Sequence, residues 1–172
     1  NCTCSVWEGL RGTLNNIAHW KEYFHTNKDL ILQVKTSKDI YTAKETNKTG
    51  IILGWQNTSG IEDQIDYLGI FKDLGVGIMH LTYNTQNLVG SGCYESNDTG
   101  LSDFGREVVD EMNRLGILID LSHVGAKTSD DAIRYSKKPV AYSHCLPSGL
   151  KHHPRNKTDE QLKFIADSGG FI

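Results

Sequence analysis

The chain has 172 residues, 38% of them apolar, and a mass of 19.2 kDa, which is enough for one domain with its own hydrophobic core. Its 18 basic and 21 acidic residues give a net charge of −3, which excludes the strongly positive surface typical of nucleic-acid-binding proteins. No apolar run approaches the roughly 18 residues that a membrane-spanning helix needs. Four cysteines without a C-x-x-C pair exclude a disulfide scaffold, a zinc ribbon and a thioredoxin-like motif.

The two ends of the sequence predict a piece of a longer protein. Residue 1 is Asn rather than Met, and no basic-then-apolar leader follows it. Residues 169–172 have the pattern of a strand that is just beginning. We therefore expect a single partial domain over 1–172 that is truncated at both ends, and the sequence indicates no compartment.

Helices and strands are predicted to alternate along the chain. Two helices, over 12–24 and 37–45, come first. Apolar runs then predict strands that recur about every 30 residues, the size of a βαβ unit. These strands are expected at 51–55, 77–81, 117–121, 139–142 and from 169, with helices between them at 61–74, 101–115, 128–136 and 159–166.

The segment 101–115 gives the strongest helical signal. Its apolar positions Phe104, Val108, Met112 and Leu115 fall on one stripe. Ser102 and Gly116 bracket the segment. Serine is a favoured N-cap and glycine a favoured C-terminal cap, so both helix ends are predicted as well.

The fold class follows from the type of strand and its alternation with helices. Strands that are apolar throughout are typical of a parallel sheet covered on both faces, and alternation with helices indicates an α/β protein. The chain supplies about five to six βα units, whereas a complete (β/α)8 barrel needs about 250 residues. Part of such a barrel and an open, doubly wound sheet therefore both remain candidates.

Two histidines follow consecutive predicted strands. Working groups of α/β proteins lie at the carboxyl ends of strands, which places His123 and His144 at equivalent positions. Neutral imidazole is a common metal ligand, and two on neighbouring strands can converge on one ion. Each could instead be an ordinary hydrogen-bonded histidine.

The remaining histidines are predicted to be structural. His19 and His25 lie on or just past a predicted surface helix. His80 falls inside a predicted strand, and we expect its side chain to point away from the strand end.

The loop 151–157, which follows His144, concentrates positive charge in a slightly acidic protein. The guanidinium of Arg155 could hold a substrate carboxylate through two hydrogen bonds. A solvated charged loop is the alternative interpretation.

Two features suggest other chemistry and are interpreted as structural. Gly90 and Gly92 follow a strand, but the third glycine of a dinucleotide-binding loop is missing and no helix begins there. Cys145 adjoins His144, yet alternation along an extended chain turns its thiol to the opposite side, so we expect it to pack rather than to act as a nucleophile.

Several segments together resemble a known family. The sequences DLSHV at 120–124, PVAYSH at 139–144 and HPRN at 153–156, with the helical segment 100–116, are similar to the zinc dipeptidases of the renal (membrane) dipeptidase family. The similarity covers most of the chain and is dense from residue 50 onward. These motifs keep their order and spacing, which makes the resemblance more specific than one isolated signature.

The resemblance implies a fragment of a (β/α)8 TIM barrel of the metal-dependent hydrolase type, holding roughly strands two to six. It places two zinc ligands on His123 and His144, and the arginine that grips the carboxylate of a dipeptide on Arg155. The family's first metal motif, His-x-Asp, and its late catalytic aspartate are expected outside residues 1–172. The resemblance also implies a dipeptide-like substrate with a free carboxylate and a homodimer.

Two positions depart from the family pattern and indicate a divergent, bacterial-type branch. Gln56 stands where the family has a glutamate that bridges two metals, and a neutral amide is a much poorer bridge. We therefore expect one or two zinc ions, with the second held weakly at best. Tyr83 stands in place of a histidine that stabilises the tetrahedral intermediate, and a phenol can still donate a hydrogen bond to an oxyanion.

The function predicted on this basis is the hydrolysis of dipeptides by a zinc-activated water. Another amide or lactone hydrolase on the same barrel is one alternative, because a fold does not fix its substrate. A non-catalytic binding protein with a degenerate metal site is the other.

Overall fold

Parallel strands and helices alternate along the chain in the computed structural model, which describes residues 2–4 and 9–172. The strands are β1 (Cys2–Cys4), β2 (Ile31–Gln33), β3 (Thr49–Ile51), β4 (Leu53–Trp55), β5 (Val76–His80) and β6 (Leu118–Asp120). The helices are α1 (Gly9–Thr26), α2 (Ser37–Glu45), α3 (Tyr67–Asp73), α4 (Asp103–Leu115), α5 (Ala126–Tyr135) and α6 (Asp159–Asp167), with a 3₁₀ turn at Ser59–Ile61.

The main sheet keeps the order of the chain. Strands β1, β4, β5 and β6 are neighbours in that order, and every pair is parallel. Isolated parallel bridges from Asp120 to Ala141 and from Ala141 to Phe171 continue the series. A doubly wound sheet reverses its strand order at a switch point, and no reversal occurs in residues 2–4 and 9–172. The order is that of an arc of a (β/α)8 barrel, as predicted.

Several predicted strands have different bounds in the structure. The predicted strand 51–55 is two strands, because β3 leaves the main sheet and pairs with β2, while β4 stays in it. The strands expected at 139–142 and from 169 are reduced to the single bridges of Ala141 and Phe171. Strand β2 was not predicted, since its three residues carry too short an apolar pattern.

The predicted helices all form; α2 has the predicted bounds, and the others have shifted ends. The segment 61–74 differs most: a 3₁₀ turn comes first, and α3 begins at Tyr67. Between them Glu62 has a positive φ of 53°, which is incompatible with a continuous helix. Helix α1 is longer than expected, and both His19 and His25 lie on it and are exposed, as predicted.

Helix α4 has both predicted caps. The Ser102 hydroxyl accepts a hydrogen bond from the Gly105 amide at 2.9 Å, and Gly116 ends the helix in the left-handed conformation with a φ of 67°. Val108 and Met112 are fully buried on the predicted stripe. The helix thereby packs on the sheet and leads the chain directly into β6, whose carboxyl end carries the residues described below.

The core lies between the parallel sheet and its surrounding helices. Trp55 from β4 packs edge-on against Phe71 from α3, with ring centroids 4.2 Å apart. Met79 and Ile119, opposite each other on β5 and β6, are also buried. Among the described residues, no helix combines the length and the apolar character that crossing a bilayer requires. The extended opening segment of the sequence predicts that Cys2 and Cys4 are small buried residues, and their side chains lie outside what the structure describes.

Candidate metal centre

The two histidines singled out in the sequence meet at the carboxyl edge of the sheet. His123 lies just beyond β6, and His144 lies just beyond the bridge formed by Ala141. Their Nε2 atoms are 2.9 Å apart. His123 is only 6% exposed and His144 is half-buried, so the two imidazoles share a site largely withdrawn from solvent.

Asn84 orients the ring of His123. The amide Oδ1 of Asn84 lies 2.8 Å from Nδ1 of His123. Because an amide oxygen only accepts hydrogen bonds, this contact places the proton of His123 on Nδ1 and leaves a lone pair on Nε2. The atom that faces His144 therefore carries a lone pair that can accept a hydrogen bond or bind a cation.

His144 has a hydroxyl on one side and an amide on the other. Ser143 Oγ lies 2.9 Å from its Nδ1, and Nε2 of Gln56 lies 3.5 Å from its Nε2. A serine hydroxyl can accept or donate, so His144 can adopt either tautomer. It can donate from Nε2 to His123, or it can present a second lone pair there when Ser143 accepts from Nδ1.

Both imidazoles are held in the neutral form. Burial lowers the pKa of His123 to about 3, with further contributions from the positive charge of Arg155 and from the neighbouring histidines. Burial also lowers the pKa of His144, and His80 and Arg155 lower it further, whereas the negative charge of Asp120 acts in the opposite direction. Neutral imidazole is the form that binds metal ions, so no proton has to be displaced at neutral pH.

His80 lies in this site, contrary to the sequence-based interpretation. It is the last residue of β5 and stands opposite Asp120 in the register of β5 and β6. Its Nε2 lies 2.7 Å from Oδ2 of Asp120, and both side chains are at most 1% exposed. The prediction that His80 points away from the strand end is wrong, because β5 ends one residue earlier than expected.

His80, Asp120 and His144 form a group that could hold a metal ion, since their ligand atoms all lie within 4.8 Å of one another. His80 Nδ1 is buried and lacks a hydrogen-bond partner within the described part of the chain. A sequence signal for the His80–Asp120 pair existed. Aligning the two predicted parallel strands by their last apolar residues would have placed both side chains on the same face.

Burial and polar contacts act in opposite directions on Asp120. Burial alone would raise its pKa, but the contact with His80 and hydrogen bonds from Ser122 and Ser143 outweigh it, so the pKa lies well below its ordinary range. The carboxylate is therefore ionised at neutral pH. It adds a buried negative charge beside the imidazoles.

Arg155 is fixed to the two turns that carry the imidazoles. Its guanidinium donates to the carbonyl oxygen of Ser122 and, at 3.4 Å, to that of His144. The side chain is half-buried, whereas His152 and His153 in the same loop are exposed. Arg155 is thus not part of a freely solvated loop. A guanidinium has five N–H donors, so donors remain for a ligand.

Tyr83 packs flat on His123. The ring centroids are 4.0 Å apart and the planes differ by 24°. This stacking restricts the tilt of the imidazole and places the tyrosine at the rim of the site. Its hydrogen bond to an oxyanion stays a prediction.

The glycines at 90–92 and Cys145 have structural roles, as expected. A Cβ atom at Gly92 would lie 2.1 Å from the carbonyl carbon of Asn84, so the loop can approach Asn84 only without a side chain. Cys145 is half-buried and packs against the hydrophobic core. Burial raises the pKa of its thiol, which makes it a poor nucleophile.

Parallel strands in barrel order, with imidazoles converging at their carboxyl ends, are typical of metal-dependent hydrolases on a (β/α)8 barrel. The model of the membrane dipeptidase family (peptidase family M19) matches residues 2–172. The chain belongs to this family.

Similar proteins and structures are consistent with this assignment. An uncharacterised dipeptidase of Schizosaccharomyces pombe is 33% identical over 150 residues, which cover 85% of this chain and 36% of that protein. Dipeptidase verJ of Clonostachys rogersoniana is 28% identical over 166 residues, 95% of this chain and 43% of that protein. The chain thus spans less than half the length of these relatives.

Two crystal structures share the fold. An amidohydrolase from Pseudomonas aeruginosa is 63% identical, with a TM-score of 0.97, and the match covers 100% of this chain and 53% of that one. A metallopeptidase from Rhodobacter sphaeroides, liganded with a phosphinate mimic of the dipeptide L-Ala-D-Ala, is 24% identical with a TM-score of 0.89. That match covers 98% of this chain and 50% of the other, so this chain spans about half the length of either protein.

Proposed function

We propose that the protein to which this chain belongs is a zinc-dependent hydrolase of dipeptides with a free carboxylate. The observation that carries the proposal is the pair of neutral imidazoles, His123 and His144, whose Nε2 atoms lie 2.9 Å apart. The guanidinium of Arg155 is bound to the same two turns. Metal ligands and a carboxylate-binding group therefore face one small volume.

The donor chemistry suits zinc. His123 offers a lone pair on Nε2 because Asn84 fixes its tautomer, and His144 offers a second when its Nδ1–H donates a hydrogen bond to Ser143. Two lone pairs at this separation repel each other unless a proton or a cation lies nearby. Imidazole nitrogen is among the preferred ligands of Zn²⁺, and a catalytic site needs further protein ligands. The family's His-x-Asp motif, expected outside residues 1–172, would supply them.

A zinc ion in such a site activates water as a nucleophile and polarises the scissile carbonyl. The residues of this chain would do the rest. His123 and His144 hold the ion, Arg155 binds the terminal carboxylate of the substrate, and Tyr83 at the rim donates a hydrogen bond to the developing oxyanion. Holding the carboxylate at a fixed place orients the peptide bond toward the reacting groups.

Gln56 favours one tightly bound ion rather than two. Its amide lies 3.5 Å from His144, the place where a carboxylate would be able to bridge two cations. A neutral amide does not offset the mutual repulsion of two divalent ions. The homodimer implied by the resemblance stays a prediction.

Metal analysis and activity of the full-length protein test the proposal. We expect about one zinc per chain, hydrolysis of L,L or L,D dipeptides, loss of activity on chelation, and recovery when zinc is returned. Absence of bound zinc in protein purified without chelator would contradict the metal assignment. Zinc binding without dipeptide hydrolysis would favour another amide or lactone hydrolase, or a non-catalytic binding protein. Gln56 is the residue that favours the non-catalytic alternative, because its neutral amide replaces a metal-bridging carboxylate.

Arg155→Ala tests the carboxylate anchor. We expect a strong rise in KM for free dipeptides and little change for the same dipeptides with an amidated C-terminus, because only the former present a carboxylate. Arg134→Ala is the matched control, since Arg134 lies over the ring of Phe164 on the outer helices. An unchanged KM for free dipeptides would mean that Arg155 only stabilises the turns at Ser122 and His144 and does not bind the substrate.

A further inference from the structure

One buried carboxylate links the turns that carry the two imidazoles. Oδ1 of Asp120 accepts hydrogen bonds from the Ser122 amide at 3.0 Å and from the Ser122 hydroxyl at 2.5 Å. The same oxygen accepts from the amide of Ser143 at 3.3 Å. Asp120 itself is fully buried.

These bonds reach the neighbours of both metal ligands. Ser122 precedes His123, and Ser143 precedes His144, so a single oxygen atom holds the backbone on both sides of the site. The Ser122 hydroxyl adds a direct connection, because it also accepts from the amide of His144 at 3.1 Å. The two turns follow different strands, and Asp120, the last residue of β6, is hydrogen-bonded to both.

The second oxygen of Asp120 has its own fixed partner. Oδ2 lies 2.7 Å from Nε2 of His80, which is 1% exposed and is held in the register of β5. Both oxygens are thereby fixed in a part of the core where side chains have no room to turn. The position of the carboxylate is set by two strands, and the position of the two turns is set by the carboxylate.

We propose that Asp120, held in place by His80, is the positioning residue that sets the separation of the His123 and His144 imidazoles for metal binding. This inference rests on the proposed function, and it places Asp120 behind the metal ligands rather than among them, because its Oδ1 accepts from Ser122 and Ser143 and its Oδ2 faces His80. A charged acceptor forms stronger hydrogen bonds than a neutral one, so it can hold two backbone segments against thermal motion. Partners behind metal ligands typically change metal affinity about 10- to 100-fold when they are replaced.

Asp120→Asn in the full-length protein is the first test. The variant keeps the size of the side chain but loses the charge, and it presents an amide to His80 or to the two turns. We expect the zinc dissociation constant, measured by competition with a chromophoric chelator, to rise about 10- to 100-fold. Bound Co²⁺ should show altered absorption bands, because these report the geometry of the ligands.

Asp39→Asn is the matched control. Asp39 also accepts from two backbone amides and one hydroxyl, those of Lys35 and Thr36, but it does so at the start of α2. We expect it to lower thermal stability and to leave zinc affinity and the Co²⁺ spectrum unchanged. A purely structural role for Asp120 predicts the same behaviour for both variants.

Ser122→Ala provides a second route if Asp120→Asn does not fold. It removes the hydroxyl that joins Asp120 to the amide of His144 and keeps the backbone bonds of the carboxylate. We expect a smaller loss of zinc affinity in the same direction. Wild-type affinity and spectrum in a folded variant would overturn the role of Asp120, whereas a wild-type protein that binds no zinc would overturn the proposed function instead.

Discussion

Oδ1 of Asn84 lies 2.8 Å from Nδ1 of His123, and Asn84 has a backbone conformation that few residues adopt. Its φ is +63°, in the left-handed region, which asparagine tolerates better than most side chains. A strained residue at a site often marks a geometric requirement of that site. Here the requirement is the tautomer of His123, since the amide oxygen selects the form whose Nε2 can bind a cation.

Asn84→Gly should weaken zinc binding about 10- to 100-fold without straining the backbone. Glycine accepts the positive φ, so the substitution removes the amide and keeps the conformation. The zinc dissociation constant measures the effect. Asn47→Gly is the control, because Asn47 has a φ of +53° in an exposed turn. Equal zinc affinity in both variants would show that the contact with His123 does not select the tautomer.

Gln56→Glu should increase the amount of metal bound. In the wild type, Nε2 of Gln56 lies 3.5 Å from Nε2 of His144. A carboxylate at this position adds a negative charge and a ligand that can bridge two ions. We expect more zinc per chain by elemental analysis at saturating metal. Gln161→Glu adds the same charge in the first turn of α6 and should leave the stoichiometry as it is. If Gln56→Glu also leaves it unchanged, the amide is not a lost bridge.

Gly92→Ala should destabilise the fold by about 1–3 kcal/mol, the usual range for overpacking. The added Cβ would lie 2.1 Å from the carbonyl carbon of Asn84, and neither backbone segment can give way easily. Chemical denaturation measures the loss. Gly149→Ala, where no atom lies within 4 Å of the added carbon, should be close to neutral. Comparable stability of the two variants would contradict this close approach.

Because of Lys157, the free energy of unfolding should depend on pH in the alkaline range. It is 2% exposed, and burial lowers its pKa from 10.5 to about 8 while Nζ donates to the carbonyl of Val124 at 3.0 Å. Between these two pKa values the unfolded chain binds more protons than the folded one, so the free energy of unfolding rises with pH across this window. The full gain is on the order of 3 kcal/mol and is reached above the unfolded pKa.

Lys157→Met isolates that contribution. The variant should lack the rise in urea midpoint that the wild type shows from about pH 8 upward, whatever other groups titrate there. Lys163→Met, on an exposed lysine of α6, should retain the rise. Parallel curves for the wild type and Lys157→Met would mean that Lys157 is already neutral, or fully charged, throughout the range.

Local sequence signals were sufficient for the helices and for the type of sheet. In α4 the apolar stripe and the two capping residues, Ser102 and Gly116, lie within the same few turns, so the local sequence contains nearly all the interactions that define this helix. Strand bounds depend on partners far away in the chain. Ile51 and Leu53 belong to different sheets because β2 pairs with β3, and nothing near residue 51 indicates that pairing.

The candidate site shows the same division between local and distant signals. His123 and His144 could be found because each lies one serine beyond a predicted apolar strand. His80 could not be assigned by that rule, since it is the last residue of its strand and its role depends on the register with Asp120. The contact of Asn84 with His123 joins residues 39 positions apart and has no local pattern.

The attachment of Arg155 to the carbonyls of Ser122 and His144 bears on substrate length. A guanidinium on a flexible loop could follow the end of a peptide of any size. Here the positive charge is tied to the same two turns as the imidazoles, so the span between the anchored end and the reacting bond is fixed. Under the proposed function the site selects a scissile bond that lies one residue from the terminal carboxylate of the peptide.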